Sequence, residues 1–468
     1  MSDVKLEEIV SLAKRRGFIY PGSEIYGGLA GTYDYGPLGV ALKNNITNLW
    51  WKMFVDDRED MYGIDAAILM NQKVWQASGH TGAGFADPLV EDLKTHKRYR
   101  ADHLLEDNAI ENPEAMTYTQ MDAVIKEKGI KSPDGNALSE VRVFNMMFDT
   151  NVGPVHDDNS IAYLRPENAQ AMFVNYKNIL DSFYPDLPFG IAQIGRVFRN
   201  EISPREFIFR VREFDLMEFE YFIRPEDWET QFEYWRQQFH AWAQALGLDD
   251  KKLHELEVPA EDRAHYSKRT IDFEYEFSFG TKEIGAVAYR TDFDLSNHQK
   301  HSGVNMDYNV KGTNEKLIPH VIEPTFGISR NLLAALAEAY TVDEVNGEKR
   351  TYLKLPAHLA PVKAAVSPLL KNKPELVTKA REVYAMLKHP EPGDGASWMQ
   401  GAVMWDDNGN IGKRYRRQDE IGTPECIVID FQTLEDDTVT IRNRDTGDQT
   451  RLSIEALKTK SGPIQWNK

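Results

Sequence analysis

Over the first sixty positions apolar side chains recur at helical spacing. Leu6, Ile9, Val10 and Ala13 share one face, so residues 4–16 read as a helix that Gly17 ends. A stretch rich in Gly and Tyr follows from Tyr26 to Gly39, holding Gly27, Gly28, Gly31, Gly36 and Pro37. It leads into a second helical pattern over Val40–Phe54, with Trp50, Trp51 and Phe54, and by itself reads as a turn-rich entry to a buried helix. Residues 91–158 are more polar and acidic and read as an insertion, with a helix around Met116–Lys128 and a turn at Ser132-Pro133-Asp134-Gly135.

Between Phe189 and Phe222 the period changes to two. Gln193, Gly195, Val197, Arg199 and Glu201 fall on one face of a strand, and Phe214, Leu216, Glu218 and Glu220 on one face of its return, with a long loop around Pro204. Residues 226–246 are helical again, and 271–290 alternate as strands. Val321-Ile322-Glu323-Pro324 gives way at Gly327 to a helix whose apolar face includes Ile328, Leu332, Leu336 and Tyr340. The pattern predicts an α+β first domain over 1–345, mainly antiparallel. Polar residues 343–350 read as a linker to an α/β domain over 350–460. Its strands are expected at Tyr352–Leu355, Val362–Val366, Ala402–Trp405, Cys426–Phe431 and Thr438–Ile441, and its helix at Pro374–Leu387.

Composition narrows the classes. A length of 468 residues allows two or three domains at roughly 150 residues each. With 41% hydrophobic and 27% charged residues and no low-complexity tract, the chain is expected to fold throughout. The single Cys426 forms no internal disulfide, and no basic-then-apolar leader opens the chain, so a cytoplasmic setting is expected. No apolar run approaches the roughly 20 residues that cross a bilayer, so no membrane role is expected. A net charge of −18 repels phosphate, so a polyanion must bind locally and DNA is not an expected partner. Two basic patches oppose the trend: Arg196, Arg199, Arg205, Arg210 and Arg212, and Lys413, Arg414, Arg416 and Arg417. Taken alone, the second is as well explained by a solvated face.

Arg199 and Glu201, two apart, offer a cationic fork and a carboxylate to one ligand, such as an α-phosphate and the amine of adenine. The triplet alone is a weak signal, because many surface strands carry such ion pairs. Its setting adds Phe214, which can stack on a purine, Arg210 and Arg212 on the loop, and Arg330 opening a helix after Glu-Pro-Thr-Phe-Gly.

Phe198-Arg199-Asn200-Glu201, Phe209-Arg210-Val211-Arg212-Glu213-Phe214 and Glu323-Pro324-Thr325-Phe326-Gly327 with Arg330 resemble the second and third signatures of class II aminoacyl-tRNA synthetases. Gly36-Pro37 resembles the first. Tyr163-Leu164-Arg165-Pro166-Glu167-Asn168-Ala169-Gln170 and Gly412 through Pro424 are similar to the homodimeric glycyl-tRNA synthetases, and the resemblance runs over nearly the whole chain. It implies an antiparallel-sheet catalytic domain followed by an anticodon-binding domain, and ATP-dependent attachment of glycine to tRNA(Gly) through glycyl-adenylate. Arg199 and Arg330 are implied as catalytic. Arg199 would hold the α-phosphate, Glu201 the adenine amine, Phe214 one purine face and Arg330 the other with the γ-phosphate. Asn200, Phe209, Arg210, Val211, Arg212, Glu213, Gly327, Ile328 and Ser329 go with them, and Glu283 and Ile284 would lie near ATP and its Mg²⁺. Arg100, Glu167, Phe214, Asp215, Leu216, Met217, Glu218, Glu323, Pro324, Thr325, Phe326 and Gly327 match positions around glycine. Lys413, Arg414, Arg416 and Arg417 would contact tRNA, Pro37 would sit at a homodimer interface, and no protein-caged metal is implied.

Three carboxylates around one ammonium suit a substrate that has no side chain to grip. Glycine has no smaller competitor, so alanine has only to be excluded by a clash and no editing domain is expected. The chain departs from the family at Thr325 (usually Ser), Ser329 (usually Gly or Asp) and Tyr289 before Arg290, and carries Thr95-His96-Lys97-Arg98-Tyr99 where paired cysteines occur. Zinc is therefore not expected, and His298 and His301 are read as structural. Other class II synthetases would not need glutamates at 167, 218 and 323. A non-catalytic relative could lose the ATP residues, and an adenylate-forming ligase without a tRNA step needs no second domain.

Overall fold

The alternation over residues 189–223 becomes the centre of a seven-stranded sheet. The computed structural model describes residues 5–463 apart from 83–84, 112, 114–115, 155–159, 346, 392–398, 400 and 461. The sheet comprises β1 (Met61–Gly63), β2 (Phe189–Phe198), β3 (Glu213–Ile223), β4 (Leu253–Glu257), β5 (Arg269–Phe277), β6 (Gly280–Thr291) and β7 (His320–Gly327), in the order β4-β5-β6-β7-β3-β2-β1. Every pairing is antiparallel except β1 beside β2.

Because side chains alternate across a strand, β3 sorts its residues between two layers. Met217, Phe219 and Tyr221 enter an aromatic core under helices α2 (Pro37–Trp51), α4 (Trp228–Ala245) and α6 (Ile328–Ala339), where Phe239 stacks between Phe273 (3.8 Å) and Phe326 (4.8 Å). Phe222 joins a smaller core on the opposite side with α3 (Ala169–Phe183) and α5 (Phe293–Ser302), and Glu218 and Glu220 share its face. A helix α1 (Leu6–Arg16), ended by left-handed Gly17, packs at the edge of the aromatic core. Gly39 lets α2 approach closely, since a Cβ there would lie 1.9 Å from the Phe18 carbonyl oxygen.

Four expectations shift. β2 ends at Phe198; the Arg199 N–H still reaches Arg212 O (3.0 Å), but the Glu201 N–H turns back on Arg199 O (2.7 Å), so Glu201 lies outside the ladder. The helix after Gly327 stops at Ala339, and Tyr340 instead opens a hairpin, Tyr340–Val345 with Glu348–Leu353, that replaces the expected linker. Its polarity misled because Arg350 is buried, bonded to Asp343 and Asp419. The insertion begins and ends earlier than 91–158: strands Ala86–Glu91, Arg98–Arg100 and Arg142–Asn145 carry helices Ala101–Asp107 and Tyr118–Lys128, the latter capped by Thr117, around Val90, Leu105 and Ile125. Residues 148–151 and 161–164 belong to another small sheet with 69–70.

The C-terminal sheet contains β8 (Ala364–Pro368), β9 (Val403–Trp405), β10 (Glu425–Ile429), β11 (Thr438–Asn443) and β12 (Gln449–Ser453), ordered β9-β8-β10-β11-β12. β8 runs parallel to β9 and β10, and the other pairs are antiparallel. Helix α7 (Pro374–Lys388) covers it, and α8 (Ile411–Glu420) packs on the 348–353 strand. Neither α8 nor β12 was expected from the sequence, α8 because its apolar side chains are only Ile411 and Tyr415. No helix among the described residues is long and apolar enough to cross a membrane.

Candidate active site

A cleft opens where β3, β6 and β7 meet the start of α6. From the hairpin side it is lined by Arg199, Glu201, Phe209, Arg210, Val211 and Phe214, and from the other side by Glu283, Ile284, Gly327, Ser329 and Arg330. Four residues expected with them lie elsewhere. The Asn200 backbone bonds Met146 O, Arg212 donates to Glu201 O and Ala30 O, Glu213 pairs with Arg196, and Ile328 is buried in the core. Arg212 thereby shapes the loop that presents Glu201.

Two aromatic rings each carry an arginine. Arg330 lies 4.5 Å over Phe209 and donates to Glu283 Oε2 (2.7 Å) and to the Glu283 carbonyl (3.1 Å). Next to it, Asn331 bonds the carbonyls of Ile284 (2.8 Å) and Gly327 (2.7 Å) and accepts from Trp242 Nε1, fixing α6 to the ends of β6 and β7. Arg199 sits 5.6 Å from the Phe214 ring and 5.7 Å from Phe85, with Nε on Pro166 O (3.1 Å). Arg199 and Arg210 form no ion pair with a described residue, so both present unspent positive charge to the cleft.

A second pocket shares Arg199, Glu283 and Thr325 with the cleft and holds Glu167, Glu218 and Glu323. All three carboxyls are buried. Glu167 Oε2 is 3.2 Å from His80 Nε2, and its Oε1 accepts from Gln170 (3.1 Å). Burial raises the Glu167 carboxyl, but His80 and Arg290 outweigh it and hold it well below the usual carboxylate range. Among the described residues Glu218 accepts only from the Asn168 N–H (2.9 Å) and, at 3.5 Å, from Thr325. Burial, with Glu323 and Glu167 beside it, pushes its carboxyl up to about 8. Glu323 receives Arg290 Nη1 on both oxygens (3.0 and 2.9 Å), yet burial still raises it. The pocket is thus short of cations and suits a small one.

Other residues expected around glycine are placed differently. Arg100 is bound to Asp87 (2.9 Å) and Asp102 in the insertion, and Asp215 to Lys43 and Arg196. Met217 and Phe326 face the aromatic core, Pro324 is buried in the sheet opposite Val287, and Phe214, Leu216 and Gly327 line the cleft instead. The sequence reading overlooked Arg290, whose Nε and Nη2 hold Asp294 (2.8 and 2.9 Å), and Tyr266, whose ring lies 3.7 Å from the Arg290 guanidinium. An arginine closing the apolar run Ala286-Val287-Ala288-Tyr289 was the available signal for the first. His80 had none.

The second basic patch lies on α8. Arg414 is buried, donating to the carbonyls of Pro368, Asp407 and Gly409; Arg417 pairs with Asp406 (2.6 Å) and Arg416 with Glu348. Lys413 is exposed. His298 is buried on Gln170 (2.8 Å) and His301 bonds Asn297 O; among the described residues no three His, Cys, Asp or Glu side chains are grouped to hold a metal.

Residues 151–340 match the family model for the tRNA synthetase class II core domain (G, H, P, S and T), and residues 363–461 match that for the anticodon binding domain. A glycine–tRNA ligase of Thermobifida fusca is 47% identical, covering 97% of this chain and 96% of that one. That of Bifidobacterium longum is 49% identical over 98% and 92%, and that of Thermus thermophilus 45% over 97% of each. The prolyl-tRNA synthetase of Giardia lamblia, solved with prolyl-adenylate, superposes with a TM-score of 0.65 at 15% identity, covering 97% of this chain and 76% of that one, a likeness of fold alone.

Proposed function

The chain belongs to the glycine–tRNA ligase family, and from that premise we propose how its two joined pockets divide the ATP-dependent attachment of glycine to tRNA. The cleft takes ATP, and the glutamate-lined pocket takes glycine. What carries this reading is the surplus of buried carboxyls at Glu167, Glu218 and Glu323 opening into a cleft with two unpaired arginines.

The glycine ammonium enters among the three glutamates, and its carboxylate points back through the shared wall at Arg199. From there one carboxylate oxygen attacks the α-phosphorus of ATP, expelling pyrophosphate. No protein nucleophile is needed. Arg199 and Arg210 neutralise charge growing on the phosphates, and Arg330 closes the cleft over the nucleotide from Phe209. Glu283 and Asp272 give an oxygen donor set that fits Mg²⁺ beside phosphates, and Asp272, pushed up to about 7 by burial, Glu283 and Glu274, forms no ion pair with a described residue. When bound, the ion supplies charge neutralisation on the phosphates. A terminal ribose hydroxyl of tRNA(Gly) then attacks the glycyl carbonyl and AMP leaves, while residues 350–460 read the anticodon, with Lys413 on the exposed side of the domain.

We place the enzyme in the cytoplasm as a homodimer. Pro37 and the exposed Ile25, Tyr26 and Leu29 supply an apolar surface for the second copy, which light scattering measures. The decisive assay is ATP–pyrophosphate exchange across amino acids. Exchange with glycine alone is expected; no exchange, or equal exchange with alanine or serine, overturns the assignment.

A further inference from the structure

Beneath the three glutamates lies a fourth. Glu220 is fully buried, and neither of its carboxyl oxygens receives a hydrogen bond from a described residue. The register that sets Glu218 against Thr325 and Tyr221 against Ile322 sets Glu220 directly across the β3–β7 ladder from Glu323, on the same face of the sheet. The groups around it are Glu218 on its own strand, Glu323 on β7, Arg290 on β6 and Asp294 on α5. Arg290 is the cation within this set, and its three nitrogens are already spent on Glu323 and Asp294. A buried carboxylate with no cation of its own costs so much that such a group stays protonated. Burial and Glu323 raise Glu220 well above the usual range, in accord with that geometry. A protonated carboxyl has one O–H to donate, and the carboxylate opposite it is Glu323.

We propose that Glu220 is a positioning residue for glycine: its O–H donates to Glu323 from below, so that Arg290 and Glu220 together fix the Glu323 carboxylate where it meets the substrate ammonium. This rests on the glycine pocket assigned above. Arg290 holds both oxygens of Glu323 through Nη1 alone, and Glu220 supplies a second point of attachment. Glu220 touches no substrate and does not line the pocket. It decides the geometry, and hence the glycine KM, without entering the nucleotide cleft.

The test uses the full-length enzyme and three readouts. Glycine-dependent exchange by the unmutated protein comes first, and its absence overturns the pocket assignment rather than the role of Glu220. Glu220→Gln keeps an N–H donor without charge and is expected to hold glycine KM within about twofold, whereas Glu220→Met, of similar length but without a donor, raises it about tenfold or more with ATP KM unchanged. Equal glycine KM in all three proteins, or a Gln variant as impaired as the Met variant, overturns the proposal. Infrared difference spectroscopy of the unmutated protein against Glu220→Gln covers the case of a Met variant that fails to fold. A protonated-carboxyl band lost in Glu220→Gln supports the proposal, and no such band overturns it.

Discussion

The two arginine-rich regions look alike in sequence and treat their charges in opposite ways. In the C-terminal domain nearly every arginine of α8 and its neighbours has a partner: Arg414 takes three carbonyls, Arg417 takes Asp406, and Arg350 and Arg442 share the buried Asp419. At the catalytic sheet Arg199 and Arg210 pair with no described carboxylate, although the buried Glu167, Glu218 and Glu323 line the pocket that Arg199 also lines. Folding has kept opposite charges apart there. Separation of this kind is unfavourable in a free protein, and under the proposed division of the two pockets it becomes favourable when phosphates meet the arginines and an ammonium meets the glutamates. The difference lies in pairing, which spacing along a chain does not reveal.

The sharpest way to break this contrast is to remove an unpaired charge. Arg199→Ala is expected to lower glycine-dependent exchange by about a thousandfold, in the range for loss of one pre-organised donor, with an unchanged melting temperature. Exchange near the unmutated rate would show that Arg199 is merely another surface arginine. The unpaired carboxyls give the next largest effect. With Glu218 titrating at about 8, raised by burial and by Glu323 and Glu167, the free pocket holds that proton at pH 7. An entering ammonium favours the charged form, so binding expels the proton. Glycine affinity should therefore rise about tenfold per pH unit from pH 6 towards 8 and level off above. Titration calorimetry in buffers of different ionisation enthalpy measures the proton directly, and Glu218→Gln should flatten the profile. A flat profile in the unmutated enzyme would mean the pocket is not short of cations.

What the sequence conveyed follows the same division. Period two located β2 and β3 and the face carrying Glu218, because one-sided burial of a strand writes itself into alternation. It failed at Glu201, which reaches the cleft through a turned-back loop held by Arg212, and at Arg290 and His80, whose roles arise only when distant strands and loops converge on Glu323 and Glu167. In the C-terminal domain α8 was hidden because its buried positions are Arg414, Gln418 and Asp419, which pack through hydrogen bonds and leave no apolar stripe. The polar 343–350 stretch concealed a strand pair for the same reason: Arg350 is its buried residue.

That hidden packing defines the third effect. Arg414→Ala leaves the buried carbonyl of Pro368 and the more accessible ones of Asp407 and Gly409 without their donor, at a cost of about 1–3 kcal/mol to the stability of the C-terminal domain. Urea denaturation should show the loss while glycine-dependent exchange, which needs no tRNA, stays near the unmutated rate. A stable Arg414→Ala protein with weakened tRNA binding would reverse the contrast, making Arg414 an RNA contact.

The smallest effect belongs to Lys413, one residue earlier and exposed on the same helix. Its charge is available to a polyanion, so Lys413→Ala should weaken tRNA binding about twofold to fivefold and reduce the slope of log affinity against log salt by about 0.7–0.9, the signature of one lost phosphate contact. Melting temperature should not move, because nothing buried depends on this side chain. Adjacent substitutions then separate cleanly, Arg414 altering stability and Lys413 altering salt dependence. If Lys413→Ala leaves the salt slope unchanged, the outward face of α8 does not meet the tRNA backbone, and the whole basic run of the C-terminal domain is structural.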